Sequence, residues 1–260
     1  MIDPLMFIAL LPAVVLVVYI CRKDRTDKEP PALIAKLLGY GVLSCLPAIV
    51  VELILSAIIE RLNVRNVYLG YFLEAFVVAG LTEETCKFLF LRTTWRNPAF
   101  DYQFDAIVYA VMVALGFAAF ENVKYVHSYG FATGIVRAVT AVPGHAIFGV
   151  FMGYFYGYAK LSDYWGRDDD RKAYLALSVV VPVLMHGCYD FLAFTQESDS
   201  RFTLLFYAYL VALYVFGIRR VNRSSRDDRR VTRETVFDYF RRMQYPMPPQ
   251  YRDRNDDFWR

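Results

Sequence analysis

Long apolar runs separated by short charged gaps set the pattern of this chain. The runs cover 5–21, 33–59, 67–91, 104–126, 135–159, 174–194 and 202–218. About 20 mostly apolar residues suffice for a helix to cross a bilayer. The pattern therefore predicts an all-α, polytopic integral membrane helix bundle with seven transmembrane helices. The first run is followed by its charges and has no basic stretch before it, so it reads as a first span or signal anchor. The third and fourth runs are the least regular, because each carries acidic residues within it. Past Ile218 the pattern breaks, and 219–260 reads as a charged, proline-punctuated tail with one short helix at 232–243. The expected division is a multispan membrane domain, 1–218, and that tail, 219–260.

Composition strengthens the membrane reading. Hydrophobic residues make up 57% of the chain, against roughly 45–50% apolar in soluble domains. Mean hydropathy is +0.29, which excludes a disordered chain and argues against a soluble enzyme. The net charge of +3 gives no argument for nucleic acid. Twelve of the 29 Lys and Arg lie at or after Arg219, a basic stretch that fits an orientation signal and a contact with anionic lipid. With the N-terminus outside, the inner connections and tail hold 22 basic residues and the outer connections five. The positive-inside rule thus predicts N outside and C inside. The four cysteines show no C-x-x-C spacing and imply neither a disulfide framework nor a zinc knuckle.

Charge changes the picture most where it falls inside the apolar runs. A charged side chain at the bilayer centre costs about 2.5–3.5 kcal/mol on insertion scales, so such residues pair or carry function. In Thr82-Glu83-Glu84-Thr85-Cys86-Lys87, the lysine is spaced i,i+4 from Glu83 and i,i+3 from Glu84, on one helix face. It can hold one carboxylate ionised while the other is left for proton chemistry. Thr82 after Gly80 marks a cap or a kink. Phe117 and Glu121 share a face, with Asn122 next to Glu121. Pro143-Gly144-His145 leads into Gly149, Gly153 and Gly157, a small-residue stripe suited to close helix packing. His186 and Asp190 lie one turn apart and point into one interior. His127 reads as part of an outer loop.

At these residues the chain resembles the PrsW family of intramembrane proteases, relatives of the CAAX prenyl endopeptidases. The resemblance spans roughly 73–191. It rests on Glu83-Glu84-x-x-Lys87, Phe117-x-x-x-Glu121-Asn122, Pro143-Gly144-His145 and His186-Gly187-x-Tyr189-Asp190. It implies hydrolysis of peptide bonds within or beside a bacterial or archaeal cytoplasmic membrane. It also implies a metal-dependent reaction on a membrane-anchored protein, a site-1-type cleavage of which anti-sigma factors are one known substrate class.

Amide hydrolysis in a membrane needs a polarised water, a base and charge stabilisation. A zinc site uses about three protein ligands and leaves a position for water. The expected ligands are His145, His186 and Glu121, with Glu84 or Glu83 as general base. Lys87 would orient the glutamates, Asp190 would support His186, and Asn122 would donate to the oxyanion. A metal-free glutamate mechanism keeps the same residues. Under the predicted topology Glu83 and Glu84 sit a turn or two deeper than the other site residues, a mismatch that a kink at Gly80 would repair. The expected substrate is a single-span protein reaching a wet pocket laterally. The rival reading is an ion- or proton-coupled transporter using the same Glu, His and Asp residues.

Overall fold

The computed structural model describes residues 4–231. Among them every regular element is helical, in chain order α1 (Pro4–Lys23), α2 (Pro31–Arg61), α3 (Val67–Phe72), a π-helical segment (Leu73–Leu81), α4 (Thr82–Leu91), α5 (Gln103–Tyr129), α6 (Phe131–Val139), α7 (Ala141–Tyr164), α8 (Asp168–Ser198) and α9 (Arg201–Arg226). The short helix expected at 232–243 lies outside the described residues. The boundary expected at 218/219 falls within α9, which continues to Arg226.

Five helical stretches among the described residues are long and apolar enough to cross a membrane. They are Pro31–Arg61, Gln103–Tyr129, Phe131–Tyr164, Asp168–Gln196 and Arg201–Arg226. The most apolar stretch of α5 is 78% buried and that of α2 only 17%, which makes α5 the axis of the bundle and α2 a peripheral helix. The outer faces of α2 and α9 expose Leu46, Leu53, Ile54, Leu204, Val211 and Phe216, apolar surface that a bilayer covers.

Close approach of backbones builds the centre. A Cβ at Gly41 of α2 or Gly116 of α5 would collide with the backbone of the other helix. On α7, Cβ atoms at Gly149, Gly153 and Gly157 would press on the backbone of α5 at Ala110, Ala106 and Gln103. The glycine stripe is thus the seam between the two central helices.

Two predicted spans have breaks where the apolar pattern is continuous. The third is α3, nine residues of π-helix and α4 in series. Thr82 makes no cap; its hydroxyl donates to the carbonyl of Val77, five residues back, at 3.4 Å. That offset matches the i→i+5 bonding of a π-helix, a geometry found often at functional sites. The fifth begins as the separate helix α6 and breaks at Thr140 (φ −122°, ψ −73°) before α7 starts. Pro143 therefore sits in the first turn of α7, where a missing N–H is harmless, instead of loosening a continuous helix. Gly130, at φ 84° and ψ −175°, turns the chain from α5 into α6, a conformation essentially reserved for glycine.

Candidate metal centre and active site

The π-helical segment delivers α4 to the middle of the bundle. Gly80 lies against the backbone of Val183 and Gly187 on α8, and Gly187 leaves room for the ring of Phe76. This clamps α4 beside His186. His145, five residues into α7, comes from the other side. Its ring centroid lies 5.1 Å from that of His186, and Phe148 stacks on His186 at 5.0 Å.

Glu84, Lys87, His186, His145 and Glu83 are all buried, Glu84 completely so. Lys87 Nζ donates to Glu84 Oε1 at 2.7 Å, to Glu83 Oε2 at 3.1 Å and to His145 Nδ1 at 3.1 Å. It also stands 4.0 Å from the centroid of the Phe117 ring. With Nδ1 of His145 accepting, its Nε2–H is the donor to Glu121 Oε2, at 3.0 Å. His186 places Nδ1 at 2.9 Å from Glu84 Oε1 and Nε2 at 3.2 Å from Asp190 Oδ2. Both histidines thus turn Nδ1 toward the glutamate pair and rest Nε2 on a carboxylate.

One potential ligand atom from each of Glu83, Glu84, His145 and His186 lies within 4.8 Å of the others. The depth difference expected from a uniform helical rise is therefore not present. A π-helix packs more residues into each turn and advances less along its axis, which alters the register of α4. The donors fit a metal ion: two imidazoles and two carboxylates are suitable ligands for zinc and its neighbours. Among the described residues Glu84 Oε2 is also a buried acceptor with no hydrogen-bond partner, an orphan that a cation would satisfy.

Glu121, expected as a ligand, lies outside this group of four and behind His145. Its Oε2 also accepts from Arg137 Nη2 at 2.8 Å. Arg137 Nε donates to Asn122 Oδ1 at 3.2 Å, and its guanidinium lies 3.9 Å from the Tyr125 ring centroid. Asn122, expected to face an oxyanion, is fully buried and donates from Nδ2 to the carbonyl of Ala9 at 2.8 Å. Its amide braces α1, α5 and α6 together. Asp190 reaches His186 from one turn along α8. His127 is an exposed residue of the last turn of α5, not of a loop.

Arg137 is the residue that sequence reasoning passed over. It falls near the start of the fifth apolar run. A signal was available: it is the one basic residue in Phe131–Val139, whose other residues are apolar or small. Helical wrapping of that stretch exposes Phe131, Val136 and Val139 and turns the guanidinium inward.

Ionisable groups this deep in a bundle of membrane-length helices mark a functional site, and their convergence as potential metal ligands fits a polytopic membrane enzyme. The comparisons specify which. Residues 29–218 match the PrsW family of intramembrane metalloproteases, and the chain belongs to that family. It is similar to Protease PrsW of Bacillus subtilis, with 34% identity over 82% of this chain and 92% of the relative. Protease PrsW of Oceanobacillus iheyensis is 35% identical over 82% and 93% of the two chains. That of Geobacillus kaustophilus is 32% identical over 82% and 88%. No solved structure matches. The protein is a membrane peptidase, and the transporter reading is not favoured.

Proposed function

We propose that the protein hydrolyses peptide bonds of single-span, membrane-anchored proteins, anti-sigma factors being one such class, with seven spans, N outside and C inside. The observation that carries this reading is the buried convergence of Glu83, Glu84, His145 and His186 in a chain of this family. Glu84, His145 and His186 are the proposed ligands and zinc the proposed ion. The chemistry an ion supplies there is polarisation of the scissile carbonyl and acidification of an attacking water.

The remaining steps belong to the chain's own residues. Glu83 is the proposed base, because its side chain is 9% exposed where that of Glu84 is closed at 0%. It takes the proton of the attacking water and returns it to the leaving amine. Lys87 keeps the two carboxylates together. Asp190 and Glu121 hold the Nε2 edges of the histidines, which leaves Nδ1 of His186 at Glu84 and Nδ1 of His145 at Lys87 as the edges available to an ion. Arg137 positions Glu121.

The test measures metal per chain and cleavage of a single-span reporter in liposomes. Glu84→Gln is expected to lose both. Glu83→Gln is expected to keep its metal and cleave about 10²–10⁴-fold more slowly. Full cleavage by Glu83→Gln would remove it as the base. Wild-type protein that stays metal-free after zinc reconstitution yet cleaves the reporter would leave a glutamate-only mechanism.

A further inference from the structure

The end of the bundle that holds the last turns of α7 and α9 carries a cavity of about 190 Å³ whose lining includes Gln103, Tyr154, Tyr158, Arg220, Arg223 and Arg229. Three arginines reach it from α9 and from the strand-like return that follows. That return is held in place: Gln103 N–H donates to the carbonyl of Arg229 at 2.7 Å, and Val231 N–H to that of Asp101 at 2.7 Å. Asp228 Oδ1 accepts from Phe104 N–H at 2.9 Å. Arg229 is thereby fixed at the cavity's rim.

The charges there do not cancel. Arg223 Nε lies 3.5 Å from Asp227 Oδ2, which also lines the cavity. Among the described residues, neither Arg220 nor Arg229 has a carboxylate within ion-pair distance. Arg220 instead lies 4.0 Å from the centroid of the Tyr154 ring. Arginines in the last turn of α9 complement the carbonyl end of that helix. Arg220 stands too far inside α9 for that role and Arg229 lies beyond it, so both cations are left for an outside anion.

The surroundings select the kind of anion. Phe216, one turn before Arg220 on the same face of α9, is 60% exposed and belongs to the membrane-facing surface. Two tyrosines line the same recess, an aromatic setting typical of the headgroup level. A soluble phosphate needs the arginines alone, whereas a phospholipid uses both the arginines and the apolar track below them. Basic recesses between transmembrane helices take anionic headgroups in this way.

We infer that this cavity binds the phosphodiester headgroup of an anionic phospholipid, with its acyl chains along α9. The bound lipid ties together α5, α7 and α9. Two of these are the central helices, which carry Glu121 and His145 at their other halves. The inference is independent of the proposed reaction.

Thermal unfolding of the full chain in detergent tests it, with dioleoyl phosphatidylglycerol, dioleoyl phosphatidylcholine or inorganic phosphate added. Phosphatidylglycerol is expected to raise Tm by about 5 °C and the other two to leave it unchanged. The triple variant Arg220→Gln, Arg223→Gln, Arg229→Gln is expected to lose the shift. The charge-matched control Arg22→Gln, Arg219→Gln, Arg226→Gln is expected to keep it. Equal shifts with the zwitterionic lipid, an equal shift with phosphate, or equal loss in the control would each overturn the proposal. If the triple variant does not fold, native mass spectrometry of wild type and Arg220→Gln decides. Retention of phosphatidylglycerol by wild type, weakened about fivefold in Arg220→Gln, supports the site; unchanged retention refutes it.

Discussion

The two histidines of the site are alike in burial and in what they face, and unlike in how they are held. His186 is steadied from its own helix, by Asp190 at i,i+4. His145 is steadied from across the bundle, by Glu121 on α5, which is itself gripped by Arg137 on α6. A brace on one helix is set as soon as that helix forms. A brace spread over three helices forms only when they have packed, so it reports on the assembly of the whole outer part of the site.

That contrast is open to test. The largest effect is expected from Glu121→Gln, which weakens the hold on His145 and leaves the mostly buried guanidinium of Arg137 without its carboxylate. Metal affinity should fall by about 100-fold, near the top of the range for outer-shell partners, with a lower Tm. Asp190→Asn should cost about tenfold in affinity with little change in Tm, because Asp190 is partly exposed and His186 is its one ion-pair partner among the described residues. Equal losses of stability in the two variants would erase the distinction.

A smaller effect is expected from Arg137→Ala, about tenfold in metal affinity, with partial recovery in Arg137→Lys. The double variant Arg137→Ala, Glu121→Gln should be no worse than Glu121→Gln alone, because the arginine acts through the glutamate. Additive losses would separate the two residues.

The smallest effect lies outside the membrane, between α1 and α2. Burial, the largest cause, together with nearby Asp24, pushes the Glu29 carboxyl up to about 7. The folded state therefore holds this proton more tightly than the unfolded chain, and stability falls as pH rises from about 4.5 through 7. Glu29→Gln should raise Tm at pH 8 and leave it unchanged at pH 4. A rise at both would assign the effect to packing.

The same contrast explains what the sequence made legible. His186 with Asp190, and Glu83 and Glu84 with Lys87, are pairs within one helix, so spacing alone exposed them. Glu121 stood out as a charge in an apolar run, but its placement behind His145 depends on how α5, α6 and α7 pack. Arg137 was hidden by the apolar continuity of α6 and α7, which masked the break at Thr140. The π-helical segment was equally hidden. Leu73–Leu81 is apolar throughout except for Glu74, and such a run gives no period that distinguishes a π turn from an α turn. The helices themselves were legible because the membrane imposes their length and their apolar character.

Lys87 bears on how such a protein is made. Its ammonium stands among the four potential ligands and already neutralises much of their charge. Two bare carboxylates brought into a bilayer would obstruct insertion and packing. With a lysine one turn along the same helix, they enter as a partly compensated unit. The helices can then close around the site before any ion arrives. Packing of the bundle then requires no ion, in contrast to small zinc domains that fold only around their ion.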